Sequence, residues 1–509
     1  MKRIIALGSQ DFESIRVNGD FYIDKSRFIC EWWKNRDPVT VITRPRRFGK
    51  TLNMSMLNCF FSNRYAGRSE LFDGLDVSGD SVLDQQGKWP VLFLSFANVK
   101  QCDWEDARCS INQTIADMCQ HYRQILQDPM FSEEDRAFFK KVNAEMPDDV
   151  AAISVNRLCG WLARYYGRKV LILLDEYDTP LQEAYMYGFW DRMTMYIRSL
   201  FSNTFIANPY LERALMTGII RVSKESIFSD LNSLEVVTTS SAKYADAFGF
   251  TEEEVFTALE QQGYGDRDKQ EVKQWYDGYT FGDLSDIYNP WSVTNYLDKG
   301  IIDTYWSNTS ENGLAGKLVR TGGLEIKRLF ENLMKGEAII VPVDEQVIYS
   351  QLETDPNAVW SLLLATGYLK TEHMMTEKEA AENKSRRMYT LRLTNLEVSR
   401  MFTKLIRDWF AKSGGLGSFT TAMLTGDVRG MNITLGDIML TSMSSFDGGK
   451  NPSVKLPENF YHGLVLGLLA ENTRDYLVTS NRESGWGRYD VVMEPNDIGK
   501  PAVIMEFKV

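Results

Sequence analysis

The sequence contains few of the side chains that metal sites and covalent catalysts usually need. Its 509 residues include six cysteines and three histidines. All six cysteines lie in the first third of the chain and none forms a Cys-x-x-Cys pair, so we expect reduced thiols rather than a zinc site or a disulfide framework. Because His121, His373 and His462 are the only histidines, we do not expect histidine-rich metal sites or most histidine-dependent triads.

Long apolar runs and a net positive charge are also missing. The apolar stretch Ile4–Leu7 is too short for the core of a signal peptide, and no run approaches the ~18 residues of a membrane span. We therefore expect a cytoplasmic protein with no membrane partner. Lys and Arg number 57 and Asp and Glu 69, which gives a formal net charge of −12. Any contact with nucleic acid must then come from a local basic patch.

The remaining composition is that of a globular protein. Hydrophobic residues make up 44% and charged residues 25%, and the length corresponds to roughly three domains of about 150 residues. Apolar runs alternate with helical periodicity, as at Ile111–Leu126 and Met193–Phe205, which favours an α/β fold with a parallel sheet covered on both faces. The runs that predict buried strands are Val39–Thr43, Val91–Ala97, Val170–Leu174 and Ala214–Ile220.

The pattern changes twice along the chain, which predicts three regions. We expect the α/β core over residues 1–245, a mainly helical lid and connecting region over 246–450, and a third, partial domain over 451–509. The helical region opens with Thr251 as N-cap and Glu254 at the capping-box position, and holds one strand-like alternation at Tyr389–Leu393. A helix and three strands are predicted in the last region at Glu458–Ala470, Tyr476–Ser480, Tyr489–Met493 and Ala502–Val509.

A phosphate-binding loop (Walker A) is indicated where the first strand ends. Gly49, Lys50 and Thr51 stand between this strand and a helix-compatible run. The glycine lets the backbone approach phosphate oxygens, the lysine supplies a cation to the β and γ phosphates, and the threonine offers a hydroxyl to magnesium. The usual first glycine of the loop is replaced by Arg44, which Pro45 restricts further, so the loop must turn differently. The alternative is a chance surface turn.

A second strand ends in two acids, as in a Walker B motif. Asp175 would hold magnesium, and Glu176 would orient or deprotonate the attacking water. The alternative is a buried strand with a polar end. Because open α/β sheets bind ligands at the carboxyl edge of their strands, the two motifs in this order favour a nucleoside triphosphate site.

A third strand carries polar residues at the same kind of position. Thr217 would lie near the γ-phosphate as a polar sensor, and Arg221 or Lys224 could stabilise charge in the transition state. A solvated loop after the strand is the alternative.

Carboxylates and a lysine cluster near the end of the sequence. Glu506 and Lys508 are two positions apart, so on a strand they share a face, and Asp490 enters a neighbouring strand. Two acids and a lysine on adjacent strands can bind a divalent metal and activate water for phosphodiester hydrolysis. Glu458 could add a fourth group. An edge hairpin with alternating charge is the alternative.

These motifs resemble an AAA-ATPase-like family that is found fused to PD-(D/E)XK nuclease domains in bacteria and archaea. The runs that carry the ATPase resemblance are Tyr22–Ser26, Thr43–Thr51, Leu174–Pro180, Thr217–Lys224, Trp275–Tyr279 and Tyr288–Ser292. The resemblance implies a P-loop NTPase fold with ATP and Mg²⁺ as cofactors, and it makes Arg44 the family's own form of the loop. The residues implied at the nucleotide are Arg44, Pro45, Arg46, Arg47, Phe48, Gly49, Lys50, Thr51, Asp175 and Thr217.

The C-terminal stretch is similar to the family's nuclease domain, a restriction-endonuclease-like α/β fold. The matching runs are Glu458–Gly463, Ser480–Gly485, Gly487–Asp490 and Glu506–Val509. The resemblance implies Asp490 and Glu506 as metal ligands and Lys508 as the catalytic lysine. The family's core normally continues past this lysine with a crossover helix and further strands, whereas this sequence stops at Val509. We therefore expect a partial domain with weak or no nuclease activity.

The expected function is ATP binding and hydrolysis coupled to a DNA-directed nuclease-like domain. Lys50, Glu176 and Arg221 would carry the ATPase chemistry. Two alternatives stay open: a nucleotide-dependent switch or scaffold with little turnover and an inactive nuclease remnant, and a nuclease that the ATPase only regulates. A homo-oligomeric ring is compatible with Arg221 acting across subunits, and a role within one subunit is equally compatible.

Overall fold

The apolar runs of the N-terminal region form one five-stranded sheet in the computed structural model of the chain. Its strands are β1 (Val39–Thr43), β2 (Val91–Ser95), β3 (Val170–Asp175), β4 (Leu211–Gly218) and β5 (Leu234–Val237). All neighbouring strands are parallel, in the order β2-β3-β4-β1-β5. The expected parallel α/β sheet is confirmed, and β5 is an additional edge strand that the sequence analysis missed.

The structure describes most of the chain. The described residues are 3–221, 234–307, 324–345, 352, 355–382, 386–412, 416–433, 469, 476–484, 487–497 and 499–506. The chain divides into two compact units, one made of residues 1–306 and 340–395 and the other of residues 307–339 and 396–509. Among the described residues, no helix has both the length and the apolar character needed to cross a membrane.

The register of the sheet brings three strand ends together. Thr43 at the end of β1 pairs with Gly218 at the end of β4, and Leu174 in β3 pairs with Met216 in β4. Because the strands are parallel, the loops that follow β1, β3 and β4 leave the sheet at one edge. This carboxyl edge therefore collects the segments in which the sequence motifs lie.

Helices cover both faces of this sheet. They are α1 (Phe12–Asn18), α2 (Arg27–Asn35), α3 (Lys50–Phe61), α4 (Trp104–Gln120), α5 (Glu133–Lys141), α6 (Asp148–Tyr166), α7 (Thr179–Tyr187) and α8 (Trp190–Phe201). On one face Ile111 and Leu158 pack into a core with Ile172 of β3. On the other, Leu57 and Phe60 of α3 join a second core.

The helix ends follow from local chemistry. The helix predicted over Ile111–Leu126 ends at Gln120 and is followed by a 3-10 turn at Arg123–Gln127, while α8 passes into a π-helical turn at Ser202–Ile206. The Asp103 carboxylate caps α4 by accepting the amide of Asp106 at 3.0 Å. Such caps satisfy backbone donors that have no partner within the helix.

The next part of the first unit contains helices and two small sheets. Antiparallel strands β6 (Phe250–Thr251), β7 (Tyr279–Phe281) and β8 (Leu284–Tyr288) form one sheet in the order β6-β8-β7. Strands β9 (Ile339–Pro342), β10 (Leu369–Met374) and β11 (Met388–Leu393) form the other, in the order β10-β11-β9. The helices are α9 (Glu252–Gln261), α10 (Asp266–Tyr276), α11 (Pro290–Lys299), Ala358–Ala365 and Glu377–Glu382.

The capping box expected at Thr251 is present. The Thr251 hydroxyl accepts the amide of Glu254 at 3.3 Å, and the Glu254 carboxylate accepts the amide of Thr251 at 2.7 Å. The expected helical character of this region is thus confirmed at the start of α9. Of these six short strands, the sequence predicted only the one that became β11.

The second unit has its own small core. Its described helices are Leu324–Met334, Leu396–Lys412 and Leu416–Leu424, and its antiparallel sheet consists of β12 (Tyr476–Ser484), β13 (Gly487–Pro495) and β14 (Val503–Met505). Phe419, Tyr476 and Val491 pack in its core. The three predicted strands are present with shifted ends, whereas the helix predicted at Glu458–Ala470 lies outside the described residues except for Leu469.

Candidate functional site

The loop between β1 and α3 turns at two left-handed residues. Arg47 has φ of 64° and Gly49 has φ of 80°, whereas Arg44 is not among the residues with positive φ. A Cβ atom at Gly49 would meet nothing within 4 Å, so its conformation, not crowding, favours glycine there. The first loop position therefore needs no glycine, and the N-terminus of α3 begins directly after Gly49.

The Lys50 ammonium is held by backbone carbonyl groups at the start of this loop. Its Nζ donates to the carbonyl oxygens of Arg44 at 3.1 Å and Pro45 at 3.0 Å. It also lies 3.5 Å from a carboxylate oxygen of Glu176, and only 3% of the Lys50 side chain is exposed. The ammonium thus stands between the loop that precedes α3 and the acidic end of β3.

Two hydroxyls converge on the buried carboxylate of Asp175. Thr51 donates to Oδ2 at 2.7 Å and Thr217 donates to Oδ1 at 2.6 Å. Burial, and then the charge of Glu176, raise the pKa of Asp175, while the two hydroxyls oppose this shift. The structure therefore brings together side chains from α3, β3 and β4 that the sequence analysis selected separately.

Glu176 occupies a backbone conformation that is unusual for its type. Its φ is 51°, in the left-handed region that favours glycine. Such positions persist only where the surroundings impose them and concentrate at functional sites. The turn keeps the Glu176 carboxylate beside Lys50 while its side chain is 19% exposed.

Asp178 is a buried carboxylate that the sequence analysis did not assign a role. Its Oδ2 accepts the amides of Ile219 and Ile220, each at 2.8 Å, and Oδ1 has no partner within the described part of the chain. Burial, and then the charge of Glu176, raise the pKa of Asp178 to about 6. A Cβ at Gly218 would lie 2.6 Å from Oδ1, so glycine leaves room for this carboxylate.

The Arg44 side chain is directed into the protein. It is fully buried, and its guanidinium donates to the carbonyl oxygens of Thr43 at 3.0 Å, Thr238 at 2.6 Å and Tyr244 at 3.5 Å. The guanidinium also lies 4.4 Å from the ring centre of Phe281, and burial lowers its pKa to about 9. Any contact of Arg44 with a phosphate would therefore involve its backbone.

Two further loop residues are held by aromatic rings. Phe48 packs against Tyr279 and Phe281, with ring centres 4.7 and 5.5 Å apart. The Arg47 guanidinium lies 4.6 Å from the ring centre of Trp291. All three aromatic partners lie in β7 and α11, far along the chain from the loop.

The remaining loop residues have distant partners as well. The Trp306 indole donates to the Arg46 carbonyl oxygen at 3.0 Å, and the Arg46 guanidinium donates to Gln182 at 3.3 Å. A Cβ at Gly367 would approach the Pro45 ring to 2.8 Å, so only glycine fits against it. Each residue from Arg44 to Phe48 is thus contacted by a residue that follows position 228.

Four predicted residues lie at the end of a described segment or outside the described residues. Arg221 is half-buried at the end of a described segment, directly after the amides that bind Asp178. Lys224, Glu458 and Lys508 lie outside the described residues. Their predicted roles stay predictions.

The two predicted metal ligands of the C-terminal region lie next to the paired ends of β13 and β14. In the antiparallel pairing of β13 with β14, Val491 lies opposite Met505. The pairing ends there, and the same register continued by one residue would bring Asp490 opposite Glu506. Neighbouring carboxylates on one sheet face are oxygen ligands of the kind that Mg²⁺ and Mn²⁺ prefer.

Replacing Arg44 tests its role in holding the loop. We expect Arg44→Ala to lower the free energy of unfolding by about 3 kcal/mol, since each buried carbonyl left without a donor costs roughly 1–3 kcal/mol. Urea denaturation measures the loss. Arg123→Ala, at an exposed position of the turn Arg123–Gln127, is the matched control and should leave the unfolding midpoint unchanged. Equal midpoints for the two variants would contradict the structural role of Arg44.

Asp178 should make stability depend on pH. Its pKa of about 6 is raised above the usual Asp value, so the stability that it contributes at low pH is lost as the pH rises through that value. Relative to the wild type, Asp178→Asn should therefore gain stability between about pH 4 and about pH 6, where the unfolded chain has lost this proton and the folded chain keeps it, and the difference should level off above that range. Urea titrations across this range test it, with exposed Asp149→Asn as control; a pH-independent difference would contradict the assignment.

Comparisons with known proteins match two parts of the chain to families and most of it to one relative. An uncharacterized protein described as lying in the vnfD 5′ region of Azotobacter chroococcum mcd 1 is 26% identical over 399 residues, which cover 78% of this chain and 68% of that protein. Residues 6–228 match the AAA-ATPase-like family, described as predicted AAA-ATPase. Residues 456–509 match the PD-(D/E)XK nuclease superfamily. The chain thus carries an AAA-ATPase-like domain and, at its C-terminus, a PD-(D/E)XK nuclease superfamily domain, as its motifs indicated.

Proposed function

We propose that the chain binds ATP with Mg²⁺ at the carboxyl edge of the central sheet and hydrolyses it. The observation that carries the proposal is the convergence of Thr51 and Thr217 on Asp175, with Lys50 and Glu176 beside them. These groups come from the ends of three elements, and nothing in the packing of the cores requires them to meet.

The donor set fits a nucleotide with a magnesium ion. The hydroxyl of Thr51 and the carboxylate of Asp175 are 2.7 Å apart and are hard oxygen ligands, which suits Mg²⁺. The amides at the start of α3 and the Lys50 ammonium offer donors to phosphate oxygens. The ion would neutralise charge on the phosphates, and Thr51 and Asp175 would hold it.

Glu176 and Lys50 have complementary roles in this proposal. A phosphate that binds beside Lys50 competes with Glu176 for the ammonium, so the Glu176 carboxylate becomes available to orient a water. Since phosphoryl transfer depends mainly on positioning and on stabilising charge, an oriented water and fixed cations suffice for hydrolysis. Thr217, buried on Asp175, would report the position of the γ-phosphate.

Arg221 is the proposed cation for the transition state. It follows a turn whose amides are bound by Asp178, and the Tyr177 hydroxyl donates to the Ile220 carbonyl at 2.8 Å. The turn therefore starts from a fixed point on the carboxyl edge. Arg221 could serve its own site or that of another copy of the chain. Hydrolysis assays on mixtures of wild-type and Arg221→Ala protein distinguish the two arrangements.

The competing proposal is a nucleotide-dependent switch that binds ATP with little turnover. Glu176 distinguishes the two, because a pure binder has no use for a carboxylate that orients water. The strained φ of Glu176 favours hydrolysis, since the backbone keeps this side chain next to Lys50 at some cost.

Two substitutions test ATP hydrolysis. We expect Glu176→Gln to keep the ATP-induced thermal shift but to lower phosphate release by roughly 10²–10⁴-fold, the usual contribution of a general base. Lys50→Ala should lose both the shift and the turnover, because it removes the cation beside the phosphates. Lys140→Ala, at an exposed position of α5, is the control. Unchanged turnover in Glu176→Gln would favour the switch instead.

For the C-terminal domain we propose a divalent metal site that supports nuclease chemistry on DNA. The register of β13 with β14 supports it, because the same register continued by one residue would bring Asp490 opposite Glu506. A metal held there would polarise a phosphodiester, and Lys508, two positions after Glu506 in the sequence, would assist.

Metal binding tests this second site without relying on catalysis. We expect Mn²⁺ titration calorimetry without nucleotide to show a site that Glu506→Ala removes, because it loses one of two carboxylate ligands. Glu494→Ala, which removes a glutamate of β13 instead, is the matched control. Any Mg²⁺- or Mn²⁺-dependent cleavage of single- or double-stranded DNA should disappear with the metal. Full cleavage by Glu506→Ala would contradict the assignment.

A further inference from the structure

The amino ends of β2, β3 and β4 meet at the edge of the sheet opposite the nucleotide site. The amide of Leu171 donates to the carbonyl of Pro90 at 3.0 Å, and that of Val170 donates to Tyr210 at 2.8 Å. These bonds tie the residues that precede the three strands to one another. The edge lies one strand length, roughly 20 Å at 3.3 Å per residue, from the site of Asp175.

Cations collect at this amino edge. Lys88 precedes β2, Arg168 and Lys169 precede β3, and Arg64 follows Asn63, whose amide donates to the carbonyl of Trp89 at 2.8 Å. The four cationic side chains are exposed, and among the described residues none of them forms an ion pair. The Arg168 guanidinium instead lies 5.0 Å from the ring centre of Trp89. In a chain of net charge −12, this makes the edge a local basic patch.

Exposed tyrosines lie among these cations. Tyr165 and Tyr166 end α6 and are 41% and 40% exposed, and Tyr210 is 39% exposed. Gly160 of α6 supports the last of these rings, because a Cβ there would come within 3.0 Å of it. Aromatic rings with so much free surface are costly to leave in water and offer faces on which a planar ligand can stack.

We propose that this edge, formed by Arg64, Lys88, Arg168, Lys169, Tyr165, Tyr166 and Tyr210, binds single-stranded nucleic acid. Cations that lack acidic partners attract a phosphate backbone, and exposed rings stack on unpaired bases. A duplex hides the faces of its bases, and an acidic protein segment has few rings to stack, so the combination favours a single strand. The patch would bring nucleic acid to the sheet whose other edge holds the proposed nucleotide site.

Binding of a fluorescein-labelled oligothymidylate to the full chain tests this surface. Anisotropy is measured without nucleotide and with EDTA, so that neither ATP nor metal contributes. We expect Arg168→Glu/Lys169→Glu to bind at least about tenfold more weakly and to lower the slope of log affinity against log salt by about 1.4, or roughly 0.7 per phosphate contact. We expect Tyr165→Ala/Tyr166→Ala to bind at least about fivefold more weakly, from lost stacking.

Matched controls separate the patch from the charge and the fold of the chain. Lys140→Glu/Lys141→Glu makes the same change in net charge at exposed positions of α5, and Tyr187→Ala removes a tyrosine that is 53% exposed elsewhere. Both should bind as the wild type does, and all variants should keep the wild-type ATP-induced thermal shift. A failure of ATP binding would therefore be visible separately from a failure of this proposal.

Three outcomes would overturn the proposal. The first is wild-type affinity in Arg168→Glu/Lys169→Glu. The second is an equal loss in the α5 charge variant, which would show a response to net charge alone. The third is a pair of results: the double tyrosine variant binds the oligothymidylate with wild-type affinity, and the wild type binds a labelled polyglutamate as tightly as the oligothymidylate. This pair would assign the surface to an acidic protein partner instead.

Discussion

The buried guanidinium of Arg44 fixes the arrangement on which the proposed nucleotide site depends. A cation removed from water is costly unless its donors are paired, and here carbonyl oxygens of Thr43, Thr238 and Tyr244 accept from its two terminal nitrogens. These acceptors belong to the end of β1 and to the segment that follows β5, so one side chain joins two separate parts of the sheet edge. The same residue replaces the first glycine of the usual phosphate loop, and its backbone carbonyl receives Lys50. The departure from the common motif therefore has a structural role. The arginine gives up the flexibility of glycine, and its buried side chain instead connects the loop to the segment that follows β5.

The conformation of this loop consequently depends on residues outside the segment that carries its sequence motif. Preorganised donors stabilise developing charge because they need not reorient during the reaction. In this chain the orientation of the loop comes from later residues, with Phe48 packed on Tyr279 and the Arg46 carbonyl bonded to Trp306. Residues 6–228, which match the AAA-ATPase-like family, contain the side chains to which we assign catalytic roles. Later residues contact the loop, so the proposed nucleotide site and the β7–β8 hairpin share one set of contacts.

Sequence reasoning reached the parts of the site that depend on local pattern. Strands β1, β3 and β4 were predictable because apolar runs buried on both faces are distinctive, and parallel strands must end at one edge. That geometry alone brings Thr51, Asp175 and Thr217 together. The edge strand β5 was missed because Leu-Glu-Val-Val is short and only partly buried. The burial of Arg44 and the bonds of Asp178 to residues some 40 positions away were also beyond reach, because they follow from tertiary packing. The roles of Arg221, Lys224, Glu458 and Lys508 stay predictions, as do the domain boundaries.

Positive charge is buried and paired at the carboxyl edge of the central sheet, whereas it is exposed and unpaired among the described residues at the amino edge. At the carboxyl edge Lys50 is buried and faces Glu176, so its charge is partly neutralised until an anion competes for it. At the amino edge Arg168 and Lys169 are exposed and lack acidic partners among the described residues, so their field is available to a polyanion even though the whole chain is acidic. The strand between them is roughly 20 Å long, and the Debye length in physiological salt is about 8 Å. Charges at one edge therefore have little direct effect on the other through solvent. A direct covalent connection between them exists in β3, which begins after Lys169, ends at Asp175 and is buried throughout its length.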